Sequence, residues 1–362
     1  MRHVAVIGGG VAGLTVAFRR SALGERVQLF EASARLGGQL HSEHAQGFLI
    51  EHGAEGFVAG SEALAQLAAA LGLAQELREQ LVRDSCHFDG ARLTRLGPGE
   101  AGKLLGFQVG VRALGRGIQS FQQGMGALVE ALHARLAASI RLEAPIRALL
   151  RAPGGALRLE LASGGLEHCD AVVVATSAAD AARLLGPQWG APATELARSQ
   201  ALSSVTVSLA YARDQLPHAL DATGFVVAEE AQVEGFRACT FASSKLPGRA
   251  PANHALLRLF FRPTQAQLRD ETDAEWVSRA ERCAALAFGP LVPAEHAWVS
   301  RWDRALPVFD AAHRARVSTL EAALAGSRVL LAGAAFHGAG IDGAVRSAEA
   351  AALALSQPPT GA

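Results

Sequence analysis

The segment VAVIGGGVAGLTVAFRRSALGERVQLFEASARLGGQ, from Val4 to Gln39, orders an apolar run, a glycine turn, a helical stretch, a second apolar run and a carboxylate. Val4 to Ile7 has the character of a fully buried parallel strand, and it feeds into Gly8, Gly10 and Gly13 at GxGxxG spacing. In that arrangement Gly8 permits the tight turn, Gly10 lets the backbone approach a pyrophosphate, and Gly13 lets the helix lie close to the strand. The helix presents unpaired N–H groups and a partial positive charge to the phosphates. Glu31 closes the strand Val27 to Phe30, roughly 20 residues on, where a carboxylate can bond a ribose hydroxyl. The order predicts a dinucleotide site.

Composition excludes several functions. The 362 residues are 50% hydrophobic and 19% charged with a formal net charge of zero, a soluble globular balance without the basic excess of a nucleic-acid binder. Lys103 and Lys245 are the only two lysines among abundant arginines, which reads as a base-composition bias. The strand beginning at residue 4 leaves no room for a leader, so the expectation is a cytoplasmic chain. Every apolar stretch meets a charge within about 14 residues, short of the roughly 20 a transmembrane helix needs. Cys86, Cys169, Cys239 and Cys283 are scattered and read as buried thiols, with no metal centre. His41, His44 and His52 have no evident carboxylate partner and read as solvated surface.

Further along, HSEHAQGFLIEHGAEGFVAGSEA predicts a strand at Phe48 to Glu51, a turn at Gly53 to Gly56, and a helix capped by Ser61. Ile140 to Thr176 reads as a small meander with turns at Gly154–Gly155 and Gly164–Gly165, returning through the doubly buried strand Ala171 to Ala175. Ala201 to Pro293 groups several strands with a helix from about Asp273 to Phe288, a second mixed sheet suited to hold substrate. At the far end, VLLAGAAFHGAGIDGAVRSAEAAA repeats strand, turn and helix, and Gly338, Gly340 and Gly343 formally satisfy GxGxxG. The turn from Gly333 to Asp342 is too long for the first turn of a Rossmann unit, which disfavours a separate NADPH site. It predicts instead one site closed from both ends of the chain, the last helix aiming its N-terminus at the cofactor.

Arg35, Leu36, Gly37 and Gly38 extend the first motif to EAxxRLGG, and the chain thereby resembles the flavin-containing amine oxidase and protoporphyrinogen oxidase superfamily. SFQQGMGALVEAL (Ser120 to Leu132), CTFASSKLPGRAPANHALLRLFF (Cys239 to Phe261), WVSRWDRALPVFDAAH (Trp298 to His313) and LAGAAFHGAGI are similar to segments of the protoporphyrinogen and coproporphyrinogen oxidases.

The resemblance implies FAD as cofactor. It places Gly8, Gly9, Gly10, Val11, Ala12 and Gly13 at the pyrophosphate, Glu31 and Ala32 at the ribose, and Arg35, Gly38 and Gln39 where the chain passes the pyrophosphate. Gly53, Ala54, Glu55 and Gly56 would run beside the isoalloxazine, Ile146 would meet the adenine through its backbone, and Gly333, Ala334, Ala339, Gly340 and Ile341 would close the flavin end. The implied fold is α/β, an FAD-binding Rossmann-like domain with a parallel sheet (1–80, 136–185 and 298–362) interleaved with a mixed-sheet α+β substrate domain (186–297) and a shortened helical segment (81–135).

The implied activity is oxidation of a porphyrinogen, protoporphyrinogen or coproporphyrinogen, with dioxygen as acceptor. The family's long helical insert between Phe88 and Phe121 is mostly missing, which leaves membrane contact doubtful; Leu104, Leu105, Phe107, Val109 and Val111 stand as a remnant apolar surface. No catalytic side chain stands out. Two alternatives stay open: an amine oxidase, disfavoured by Ser204 and Thr206 where a lysine is expected and by Tyr211 as the single tyrosine, and a non-catalytic FAD- or porphyrin-binding paralogue. Arg92, Arg95 and Arg249 are candidate partners for substrate carboxylates, with surface charge as their competing role, and Trp302 is a candidate neighbour of the flavin.

Overall fold

The computed structural model describes residues 1–105, 115–152 and 156–357. At its centre five strands run parallel in the order Ile140–Arg141, Arg26–Phe30, His3–Ile7, Ala171–Val174, Val329–Leu331. Covered on both faces, such strands have no polar side, which is why Val172, Val173 and Val174 are all fully buried. Helices Val11–Ala22, Glu62–Leu71, Gly126–Leu136 and Gly340–Ala354 pack on one face. Helices Ala178–Glu195 and Ala311–Leu324 cover the other, together with the antiparallel meander of Ile146–Arg151, Leu157–Leu161 and Leu166–Cys169.

A second sheet of seven strands runs in the order His296–Pro307, Ala201–Ala212, His254–Phe261, Phe236–Phe241, Gly224–Val227, Ser85–Phe88, Leu93–Leu96. Its pairs are antiparallel except Gly224–Val227 beside Ser85–Phe88. The helix Asp273–Phe288 starts at a reciprocal Thr272–Glu275 capping box and seats Trp276, fully buried, against this sheet's core.

The structure redraws the expected segment limits. The stretch 81–135, expected to be helical, supplies two strands to the seven-stranded sheet, while its helix Gly126–Leu136 belongs to the nucleotide-binding core. The limit at 185 falls inside helix Ala178–Glu195, whose chain kinks at Gly190 (φ 55°) between Pro187 and Pro192. Residues 298–307, placed by sequence in the nucleotide-binding part, run along the edge of the seven-stranded sheet in register with Ala201–Ala212. An edge strand is half solvated, so its apolar spacing does not announce it. Phe107, Val109, Val111 and the Gly154–Gly155 turn lie outside the described residues.

Candidate cofactor site

The glycine turn has the geometry its spacing requires. Gly8 stands at φ +110°, and a Cβ there would lie 2.5 Å from the Ala175 carbonyl oxygen. A Cβ on Gly13 would lie 1.9 Å from the Gly8 oxygen, so helix and turn can meet only through glycine. Gly10 is different: a Cβ there meets no protein atom within 4 Å, and the open space lies where a phosphate would approach. Gly37 and Gly38 form the opposite wall, with the Gly37 amide donating to the Gly9 carbonyl at 2.8 Å. Glu31 accepts the Gly9 amide at 2.6 Å through Oε2, and the Ser33 amide at 2.8 Å through Oε1. Oε1 also accepts the Ser33 hydroxyl at 2.7 Å, so the lone pair left for a ribose hydroxyl is on Oε2. Arg35 donates to the carbonyls of Leu36 and Gly38 at 3.1 and 2.8 Å, fixing the loop around the glycine pair.

Two helix N-termini carry the strongest signal for a bound anion. The helices starting at Glu62, Ala178, Gln265, Asp273 and Ala311 are capped by the side chains of Ser61, Ser177, Thr264, Thr272 and Asp310. At Gly126–Leu136 the amides of Met125 and Gly126 are taken by Glu51 and Ser42. The one-turn helices Glu100–Leu104 and Ala242–Lys245 also lack a side-chain cap but do not follow strands of the parallel sheet; among the longer helices Val11–Ala22 and Gly340–Ala354 have none. Both start beyond the carboxyl ends of parallel strands, where open α/β sheets bind ligands, and their first N–H groups are available to one. Gly333 (φ +113°), at the end of the last parallel strand, runs close to the first helix: a Cβ on it would lie 3.3 Å from that of Ala12. The second glycine set repeats the first in one respect: a Cβ on Gly343 would lie 2.3 Å from the Gly338 oxygen.

The Gly53–Gly56 turn sits between the two sheets. A Cβ on Gly53 would lie 1.8 Å from the Gln39 oxygen and 3.2 Å from Trp302, and one on Gly56 would lie 2.5 Å from the Gln119 oxygen. Arg258 donates to the carbonyls of His52 and Gly53 at 3.1 and 2.6 Å, and Trp302 Nε1 donates to that of His52 at 2.8 Å. Lys245 pairs with Glu55, and Arg249 lies 3.5 Å from Glu51. Burial by itself pushes the Glu55 carboxyl up, but the charges of Lys245 and Arg258 outweigh it and leave it below its usual range. Glu51 is held above its usual range, because burial outweighs Arg249, the Ser42 hydroxyl and the Met125 amide.

Several expectations change here. Arg249 is buried, donating to Ser120 Oγ at 2.7 Å, and is not a surface charge. Arg92 and Arg95 are exposed and pair with nearby aspartates, so the three do not converge on one carboxylate site. His52 does have a carboxylate partner: Nε2 lies 2.7 Å from Glu43, Nδ1 lies 2.7 Å from Ser300, and the ring stacks on His41 at 4.4 Å. These partners come from the hairpin strand Ser42–Ala45 and from the edge strand, so spacing alone could not reveal them. Ile146 is buried, and its carbonyl accepts from Arg183 at 3.2 Å. Ser204 donates to the Phe261 carbonyl at 3.3 Å, and Thr206 packs at the His52 carbonyl. Lys245, one of only two lysines in the chain, is ion-paired with Glu55 of the Gly53–Gly56 turn. Sequence reading missed Lys245, Glu51 and Arg258; the rarity of lysine was the available clue to the first.

Among the described residues no group of side chains is arranged to hold a metal ion, and no helix is long and apolar enough to cross a membrane.

A parallel nucleotide-binding sheet with two uncapped helix N-termini, interleaved with a mixed sheet, defines the class of Rossmann-type flavoprotein oxidoreductases. The family model described as flavin containing amine oxidoreductase matches residues 85–356, and the NAD(P)-binding Rossmann-like domain model matches residues 6–89. The chain belongs to the flavin-containing amine oxidoreductase family. It is similar to the coproporphyrinogen III oxidase of Propionibacterium freudenreichii, 30% identical over 64% of this chain and 43% of that protein. It is 25% identical to the coproporphyrinogen III oxidase of Bacillus subtilis (strain 168), over 64% of this chain and 50% of that one. The matches thus span about half the length of these relatives. Among solved structures, the "Putative protoporphyrinogen oxidase" of Exiguobacterium sp. 255-15 superposes with a TM-score of 0.84 at 23% identity, covering 98% of this chain and 99% of that one. Putrescine oxidase bound to putrescine gives 0.75 at 15% identity, covering 98% and 99%. At these identities the likeness is one of fold.

Proposed function

We propose that this protein is an FAD-dependent porphyrinogen oxidase that takes coproporphyrinogen to the porphyrin, with dioxygen as acceptor. The observation that carries FAD is the pair of uncapped helix N-termini at the ends of one sheet, one for the pyrophosphate and one for the flavin pyrimidine. The names of the relatives carry the substrate. Ser204, in place of a lysine, weighs against the amine reading.

When bound, FAD supplies hydride acceptance and re-oxidation by dioxygen. The residues of this chain position and shield. Gly8 to Gly13 and the first helix would hold the pyrophosphate, and Glu31, fixed by the Gly9 amide and by Ser33, would offer the remaining lone pair of Oε2 to the ribose. The N-terminus of Gly340–Ala354 directs partial positive charge toward the ring that becomes electron-rich on reduction. Arg258 and Trp302 immobilise the Gly53–Gly56 turn against the seven-stranded sheet, so the substrate meets a fixed wall. Aromatisation of the macrocycle provides much of the driving force, which places the demand on orientation more than on acid-base groups.

The purified protein is expected to carry a flavin spectrum and to raise porphyrin fluorescence from coproporphyrinogen in air above the spontaneous rate, with release of peroxide. Bound flavin without porphyrin formation from either porphyrinogen would select the non-catalytic carrier. Peroxide release from amines would select the amine oxidase.

A further inference from the structure

Three side chains behind the closing turn form a chain that no part of the proposed reaction uses. Ser347, buried on the inner face of helix Gly340–Ala354, has its Oγ 3.0 Å from the Gly333 amide and 2.8 Å from His337 Nδ1. His337 Nε2 lies 2.6 Å from Glu321 Oε1, on helix Ala311–Leu324. Two of these bonds have a direction fixed by chemistry: the Gly333 amide donates to the Ser347 oxygen, and the Glu321 carboxylate accepts from Nε2. In the neutral ring with its proton on Nε2, Nδ1 accepts from the Ser347 hydroxyl. The constellation of serine, histidine and carboxylate is not a nucleophilic triad, because the serine oxygen already serves the Gly333 amide on a buried helix face.

What the chain holds is the Gly333 amide, the first N–H of the closing turn. Gly333 has no side chain, stands at φ +113°, and touches Ala12 at the start of the phosphate-facing helix. Its amide is the point where the last strand turns away from the sheet toward the closing helix. The three residues border a cavity of about 550 Å³ beside Val329–Leu331, the last strand of the parallel sheet, with Arg2 and Arg346 also in its lining.

We propose that His337, oriented by Glu321, is a positioning residue for the flavin: through the Ser347 hydroxyl it sets where the Gly333 turn, and with it the closing helix N-terminus, stands relative to the cofactor. The proposal rests on the flavin reading above.

The test uses full-length apoprotein titrated with FAD, with the thermal midpoint of the apoprotein and the reduction potential of the bound flavin as further readouts. Ser347→Ala and His337→Phe leave a buried donor without its partner, and each is expected to weaken FAD about tenfold. The flavin potential should move, and the apo midpoint should fall by a few degrees for the unpaired buried donor, so the FAD affinity is read on the folded protein well below that midpoint. His337→Asn offers an amide oxygen near the Nδ1 position and should recover most of the affinity. Glu321→Ala, at a partly exposed position, should weaken FAD by about threefold and provides a reading if His337→Phe does not fold. Wild-type affinity and potential in Ser347→Ala and Glu321→Ala would overturn the proposal while leaving FAD binding intact. Failure of the wild-type protein to bind FAD would overturn the flavin reading and this proposal with it.

Discussion

Lys245, beyond a strand of the seven-stranded sheet, is ion-paired with Glu55 in the Gly53–Gly56 turn of the nucleotide-binding part. Both side chains are largely buried, 15% and 16% exposed. With Arg249 facing Glu51 and Arg258 on two carbonyls, three cations from one stretch of the mixed sheet fasten the turn the cofactor would lie against. Breaking a buried pair from one side leaves an uncompensated charge, so Lys245→Met is expected to cost up to ~3 kcal/mol. The Lys245→Met, Glu55→Gln double variant should recover a large part of that, read as a coupling energy from urea unfolding of the four proteins.

The two glutamates oppose each other in pH dependence. Glu55 is held low, so its contribution is complete above its unfolded pKa, near 4.5, and is lost as pH falls through the folded value. Glu51 is held high, so its contribution is complete below about 4.5 and is lost as pH rises through its folded value. Urea midpoints followed from acid to neutral pH should therefore lose acid sensitivity in Glu55→Gln. They should lose part of the decline toward neutrality in Glu51→Gln.

Glycine substitutions separate folding from cofactor binding. Gly13→Ala places a methyl 1.9 Å from a backbone oxygen, and Gly53→Ala places one 1.8 Å from another, so both must displace main chain. Each should cost roughly 1–3 kcal/mol or more in the apoprotein. Gly10→Ala meets nothing in the protein and should leave the apo thermal midpoint unchanged while abolishing FAD retention, because the methyl occupies the phosphate's space. Calorimetry and flavin content of the same preparations check both.

The thiols should be inert in the native state. Burial pushes Cys169 and Cys283 up to about 12 and raises Cys86 and Cys239 as well. The thiolate is the reactive form, so labelling with a disulfide reagent at mildly alkaline pH should be negligible until denaturant is added, when all four react.

Trp302→Phe removes the indole donor to the His52 carbonyl, a bond worth about 1 kcal/mol, while the aromatic packing on Gly53 remains. The expected outcome is a small loss of stability with a perturbed flavin absorption band, measured on the reconstituted protein.

By itself the sequence determined the nucleotide-binding turn, the buried parallel strands beside it, and the closing turn at the far end. Each is a local object: glycine spacing dictates which carbonyls can be approached, and a β-branched run dictates a doubly covered strand, with partners a few residues away or in an equally apolar neighbour. Tertiary structure alone decided that residues 298–307 lie on the mixed sheet, that Arg249 is buried, that His52 meets Glu43 and Ser300, and that Lys245 faces Glu55. Those relationships join residues that are far apart in sequence or on different strands, and a charge carries no mark in the sequence of the opposite charge that chain folding will set against it. The opening glycines declare a cofactor site, while the wall that confronts the cofactor is assembled only when the second sheet docks, because its cations are stable in that dry interface only once their acidic and carbonyl partners are in place.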